Sequence, residues 1–291
     1  MLRKIGIEIP LKKGNPTKEL GQQSSKQIDI GENLNRKKSK KKSLQLTESM
    51  TLHESVYALA FGAHPDDVEI SCGAILHKII REGKTVAVCD LTEGEMGTRG
   101  TVEKRYIESA EASKIIGYKT RLNLNLGDAT FEVNTENREK LVKMIRHFRP
   151  HIVFAPQVRE RHPDHERAAG LIKDACFYAG LKKIETVFQG QPQARHRPQY
   201  LFHYLQDHFE IPHLIVDISE EFEVGMNAIL AFESQFYSPL SHEPETFISR
   251  KSFLESLEAR AKTLGEVIGV KYGQGLLYGK PLGISHFSRV F

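Results

Sequence analysis

The stretch Ala63-His64-Pro65-Asp66-Asp67-Val68-Glu69 directly follows the apolar run Val56-Tyr57-Ala58-Leu59-Ala60-Phe61 and the break at Gly62. An apolar run of that length closed by glycine reads as a buried strand. One imidazole and two adjacent carboxylates then fall where a strand ends and a helix starts, the edge of an α/β sheet on which sites are built. Imidazole and carboxylate suit a divalent ion such as zinc, and three protein ligands leave a further position open for water. Neighbouring side chains in a turn point in different directions, so one Asp can ligate while the other acts as a general base. Taken alone, Asp66 and Asp67 would serve equally well as caps of a helix beginning near Val68.

A second cluster, Arg159-Glu160-Arg161-His162-Pro163-Asp164-His165, follows the apolar run Ile152-Val153-Phe154-Ala155 and precedes a helical pattern through Leu171, Ile172 and Ala175. Two strand-to-helix junctions of a parallel sheet open on the same edge, so a histidine of this cluster can complete a metal site begun by His64 and Asp67. Elsewhere the chain alternates strand and helix. Strands are expected at 85–91, 121–124, 199–204 and 214–218, with helices at 102–116, 137–148, 220–231 and 252–267. The fold class is α/β: a Rossmann-like, mostly parallel sheet flanked by helices, with a smaller C-terminal portion beyond Gly180. A dinucleotide site is a poor fit, because Gly62-Ala63-His64-Pro65 lacks the G-x-G-x-x-G spacing.

Residues 1–53 differ from the rest in carrying few apolar side chains and the run Arg36-Lys37-Lys38-Ser39-Lys40-Lys41-Lys42. Such a segment cannot bury enough apolar surface to order itself, so a disordered basic tail precedes a folded domain over 54–291. Residues 1–54 hold 12 Lys and Arg against 6 Asp and Glu, leaving 29 against 31 for the remainder, so the net charge of +4 comes from the tail. A solvated tail fits that pattern better than a nucleic-acid or anionic-membrane surface. Met50 opens a short lead-in to the first strand and is a candidate translation start. No apolar run approaches the ~20 residues of a membrane span, and no secretory pattern opens the chain, so the cytoplasm is expected. Cys72, Cys89 and Cys176 have no paired spacing and read as buried free thiols.

Three segments together carry a family likeness: Ala60 to Glu69, Asp90-Leu91-Thr92-Glu93-Gly94-Glu95-Met96-Gly97-Thr98-Arg99-Gly100, and His162-Pro163-Asp164-His165. In order and spacing they resemble the LmbE/PIG-L family of zinc-dependent N-deacetylases, and within it the bacterial enzymes that deacetylate N-acetylglucosaminyl-malate during bacillithiol synthesis. The resemblance runs from about Val56 to about Tyr278. It implies that His64, Asp67 and His165 hold zinc, with Fe2+ or another divalent ion as alternatives. It further implies that Asp66 is the base, that a protonated His162 supports the oxyanion, and that Asp164 orients a histidine from behind. Arg99, Arg105 and Arg161 are expected to contact substrate, with the glycines of the 94–100 loop letting backbone approach it. Where some relatives place a late Tyr, this chain has Phe253. The implied partner is a small N-acetylated amino-sugar conjugate, with no nucleic acid and no membrane, and the implied assembly is a trimer or hexamer. Other N-acetylglucosamine conjugates remain open as substrates, as does a non-catalytic sugar-binding or nucleic-acid-binding role.

Overall fold

Alternation along the first strand sorts its side chains onto two faces. In β1 (Ala58–Gly62), Ala58 and Ala60 join one apolar core with Val68, Cys72, Ile75 and Leu76, whereas Leu59 and Phe61 join a second with Leu141, Ile145, Phe148 and Leu171. A strand buried on both faces must be covered by helices on both, as parallel sheets are. The computed structural model describes residues 54–283. The basic tail and the start expected at Met50 lie outside the described residues.

After β1 come α1 (Asp67–Arg81), β2 (Val86–Asp90), α2 (Val102–Ile116), β3 (Thr120–Asn123), α3 (Thr135–Phe148), β4 (Ile152–Ala155) and α4 (Pro163–Ala179). A short hairpin, β5 (Val187–Phe188) and β6 (Gln191–Pro192), precedes β7 (Tyr200–Tyr204), β8 (Leu214–Asp217), α5 (Phe222–Leu230), α6 (Lys251–Ile268) and β9 (Gly273–Tyr278). Seven strands form one sheet in the order β3-β2-β1-β4-β7-β9-β8. The pairs from β3 through β7 are parallel, and β9 runs antiparallel to both β7 and β8. Helices α1, α2, α5 and α6 supply the first core, and α3 and α4 the second. All three cysteines are buried and free. No helix among the described residues is long and apolar enough to cross a membrane.

The smaller C-terminal portion expected beyond Gly180 continues the same sheet, with β7, β9 and β8 along one side of it. Strand β9 was hidden by Gly273 and Gly275, which weaken a strand signal. Packing demands both glycines: a Cβ at Gly273 would lie 2.8 Å from the Gly265 nitrogen, and one at Gly275 2.8 Å from Leu205 Cδ1.

Arg146 of α3 is buried, at 1% exposure, and every partner it has is neutral. Its guanidinium donates to the carbonyls of Ala179 (3.1 Å), Leu181 (2.9 Å) and Ile184 (2.7 Å), and to Thr186 Oγ1 (2.8 Å). A cation there gathers the last carbonyl of α4 with two carbonyls of the turn that follows, and complements the helix dipole. Arg146→Met should therefore cost roughly 3 kcal/mol, the scale of losing a few charge-assisted hydrogen bonds. Thermal unfolding followed by circular dichroism should show a fall of about 6–12 °C, and an unchanged midpoint would refute the capping role.

Candidate active site

In the strand order, β2 and β3 lie on one side of β1 while β4 and β7 lie on the other. The chain thus reverses its direction of winding between β1 and β4, and the crevice beyond the carboxyl ends of such strands is where α/β sheets hold ligands. His64, Asp66 and Asp67 leave β1 into this crevice, and His162, Asp164 and His165 open α4 beside them. A cavity of about 390 Å³ lies there, lined by His64, Asp66, Asp67, His162, His165 and Gln206 among others. Asp66 has φ 121° and ψ −27°, a region costly for a residue with a side chain and found mainly at functional sites. Both Asp residues sit at the start of α1, yet Asp66 makes no side-chain cap.

Asp67 is where the two junctions meet. Its Oδ2 accepts the His64 backbone N–H at 2.9 Å and lies 3.5 Å from His64 Nδ1. Its Oδ1 lies 3.2 Å from His165 Nε2 and accepts from Gln206 Nε2 at 2.6 Å. The three side chains expected to hold a metal are therefore brought together around one carboxylate. Ligand atoms of His64, His162 and His165 lie within 4.8 Å of one another, and so do those of His64, Asp128 and Asp164. Asp128 escaped sequence reasoning. It follows β3 in the turn Gly127-Asp128 on the same sheet edge, and its Oδ1 is 3.1 Å from His64 Nε2. Asp164 Oδ2 approaches the same nitrogen at 3.5 Å. His165 Nδ1 is buried without a hydrogen-bond partner among the described residues. Imidazole and carboxylate donors converging in a buried cleft fit a zinc-type ion.

The carboxylates and imidazoles shift one another strongly. Burial alone would lower the His64 pKa, but Asp128, Asp164 and Asp67 outweigh it and hold the ring well above its ordinary value. Burial would raise Asp67, yet His165 and His64 keep it well below the usual carboxylate range. Burial and the adjacent Asp67 charge push Asp66 up to about 8. His162 is lowered by burial and by the nearby His64 and His165 rings. Its Nδ1 accepts the Asp164 backbone N–H at 3.2 Å, which leaves the proton of a neutral ring on Nε2. Nε2 is therefore the nitrogen from which His162 can donate.

The three arginines part company. Arg105, on α2, lines the cavity and donates to Gln235 Oε1 at 2.6 Å. Arg161 lines it too, half exposed, bonded to Asp207 Oδ2 at 2.9 Å and lying 4.2 Å over the Phe247 ring. Arg99 is not among the lining residues. It is buried, donating to the Ser234 carbonyl at 2.9 Å and Ser241 Oγ at 2.7 Å, and it pairs with Glu243 at 3.3 Å. It ties down the 233–244 loop. The glycines of the 94–100 loop also have a different role: a Cβ at Gly94 or Gly97 would fall 2.4 Å from the Arg105 guanidinium. Gly94 and Gly97 make room for an arginine, and Gly97 also lines the cavity. Phe253 is buried in the core near Phe236 and Phe247, outside the cavity lining.

Beneath the site, Arg121 of β3 is clamped by two buried carboxylates. Its Nε and Nη2 donate to Asp90 at 2.7 and 3.0 Å, and its Nη1 to Glu69 at 2.8 Å. Burial raises the pKa of both acids, with Arg121 opposing the shift.

Comparison with known proteins agrees with this geometry. Residues 59–176 match the family model PIG-L, described as GlcNAc-PI de-N-acetylase. The diacetylchitobiose deacetylase of Thermococcus kodakarensis is 30% identical over 231 residues, covering 76% of this chain and 82% of that protein. Among solved structures, a conserved protein from Thermus thermophilus is 34% identical with a TM-score of 0.72, covering 80% of this chain and 99% of that one. The N,N'-diacetylchitobiose deacetylase from Pyrococcus horikoshii is 25% identical with a TM-score of 0.65, covering 83% and 91%. The fold and cleft define a PIG-L-type α/β protein. The chain belongs to the PIG-L (LmbE-like) family.

Removing the charge of Arg121 leaves Asp90 and Glu69 buried and uncompensated. Arg121→Met should lose about 3–5 kcal/mol of stability at pH 7. Folding then holds protons that the unfolded chain releases near pH 4, so the variant's deficit shrinks as pH falls towards 5 and grows as pH rises. Urea unfolding at pH 5 and pH 7.5 checks the sign; an equal deficit at both would rule out the electrostatic cause.

Proposed function

We propose that the chain is a metal-dependent de-N-acetylase of a small N-acetylated amino sugar, with N-acetylglucosaminyl-malate as substrate and bacillithiol synthesis as its setting. The observation that carries the hydrolytic reading is the buried Asp66 carboxyl beside the converging donors of His64, Asp67 and His165, in one open cavity. Those three residues hold the ion, zinc being the first choice and Fe2+ or another divalent ion the alternative. Bound there, zinc polarises a carbonyl and brings the pKa of water towards ~7.

Asp66 takes the proton from the attacking water as its oxygen bonds to the acetyl carbon, then delivers it to the nitrogen as the C–N bond breaks, giving acetate and the free amine. A carboxyl whose affinity for a proton is raised by burial suits holding it between the two steps. The Nε2–H of His162 donates to the oxygen on which negative charge develops. Asp164 and Asp128 restrain the His64 ring through Nε2. Arg105 and Arg161 supply guanidinium groups for the malate carboxylates, which they can bind in bidentate fashion. Support for a deacetylase of N-acetylated sugars comes from the family and from the Thermococcus relative. That relative also favours a second reading, in which a chitobiose-like sugar is the substrate.

Acetate release from N-acetylglucosaminyl-malate, N,N'-diacetylchitobiose and N-acetylglucosamine tests both readings. Activity should disappear on chelation and return with zinc. Asp66→Ala should retain zinc but lose at least ~100-fold in kcat, the scale of general-base catalysis; full activity in that variant would refute the base. Arg161→Ala should raise KM for the malate conjugate by roughly 10- to 100-fold, as loss of a charge-assisted hydrogen bond does. The same change should leave chitobiose turnover nearly intact. Faster turnover of chitobiose than of the malate conjugate by the unaltered enzyme would transfer the assignment to the second reading.

A further inference from the structure

Gln206, just after β7, is buried at 6% exposure and lines the cavity, although nothing in its sequence surroundings singles it out. Its Nε2 donates to Asp67 Oδ1 at 2.6 Å. An ionised carboxylate only accepts, so the amide nitrogen must face Asp67 and the amide oxygen must face away. That oxygen, Oε1, is buried with no hydrogen-bond partner among the described residues. From behind, the Arg260 guanidinium of α6 donates to the Gln206 backbone carbonyl and fixes where the side chain starts. The residue is therefore anchored at its backbone, committed at its nitrogen, and incomplete at its oxygen.

We propose that Gln206 is a positioning residue for Asp67, holding its carboxylate in the orientation a metal needs, and that its Oε1 accepts a hydrogen bond from a ring hydroxyl of the bound sugar. Asp67 already has Oδ2 tied to the His64 backbone, so a bond to Oδ1 removes its remaining rotation about the Cβ–Cγ bond. Groups that orient a ligating carboxylate in this way typically change metal affinity by 10- to 100-fold. A buried acceptor without a donor is costly, and a sugar hydroxyl supplies the donor that the protein does not. Substrates lacking that hydroxyl are disfavoured, because they leave the acceptor unpaired. The second half of the proposal rests on the functional reading above, whereas the first does not.

Zinc affinity is measured by competition with a chromophoric chelator for the full chain and for Gln206→Leu and Gln206→Glu, alongside thermal unfolding of each zinc-free protein. Zinc binding should weaken by roughly 10- to 100-fold in both variants, with zinc-free melting temperatures close to that of the parent. A purely structural residue would show the reverse: lowered melting and unchanged zinc affinity, which would overturn the positioning role. At saturating zinc, KM and kcat are compared for whichever of N-acetylglucosaminyl-malate and N,N'-diacetylchitobiose the parent enzyme turns over faster, and for its single-deoxy analogues. One analogue should lose roughly tenfold in kcat/KM with the parent enzyme and show no further loss with Gln206→Leu. Deoxy deficits that persist unchanged in that variant would refute the acceptor role. If the parent enzyme acts on no N-acetylated sugar, the acceptor role falls with the functional reading, and the zinc comparison still decides the positioning role.

Discussion

Asp67 has no idle oxygen. One is tied to the His64 N–H of its own turn, and the other sits between His165 from the start of α4 and Gln206 from beyond β7. Three segments that are remote in sequence are thereby fixed to a single side chain that is 2% exposed. The arrangement depends on the parallel pairing of β1 with β4, which runs Ala58 against Ile152 through Ala60 against Phe154 and so brings both strands to the same edge. A slip of one residue in that register would turn the alternating Ala and Leu of β1 onto the wrong cores and draw the two histidine turns apart.

Around this centre the protein buries charge in two different ways. Arg121 balances Asp90 and Glu69, two acids that would otherwise add to the negative field under Asp66 and Asp67. Among the described residues Arg146 meets no carboxylate and instead closes the end of α4, the helix whose other end presents His165. Each removes a polar defect that the apolar cores cannot absorb. The loop of Gly94 and Gly97 belongs to the same economy of space, since it is shaped around a guanidinium on the neighbouring helix.

Much of this was legible in the sequence, for identifiable reasons. Apolar runs marked β1, β2 and β4, the first of them closed by Gly62, and the helix expected over 102–116 lies at Val102–Ile116, between a Thr101 side-chain cap and a left-handed Gly117. The paired clusters at His64 and His162 announced a shared edge because parallel strands leave little freedom in where their ends point. What stayed hidden depended on contacts between distant segments. Nothing local to Asp128 or Gln206 signals that they touch His64 and Asp67. Arg99 looked like a substrate residue because it sits in a glycine-rich loop, but burial against the 233–244 loop assigns it to support. The N-cap bond that occupies His162 Nδ1, and the two imidazoles beside that ring, depend on the folded turn, which composition cannot show.

The placement of β9 has a consequence for the order in which the molecule is assembled. Among the described residues, strand β8 pairs only with β9, and β9 is made some sixty residues later, after α5 and α6. Strands β1 to β4 and β7 can associate as they emerge from synthesis, whereas β8 has no strand to join until residues 273–278 exist. Loop closure over such a span delays pairing relative to local contacts. Gln206 and Asp207 lie on the connection between β7 and β8, so the two residues that steady Asp67 and Arg161 reach their final places late. The edge that carries His64 and His165 is thus drawn by β1 and β4, and Gln206 and Asp207 join it from a later stretch of chain.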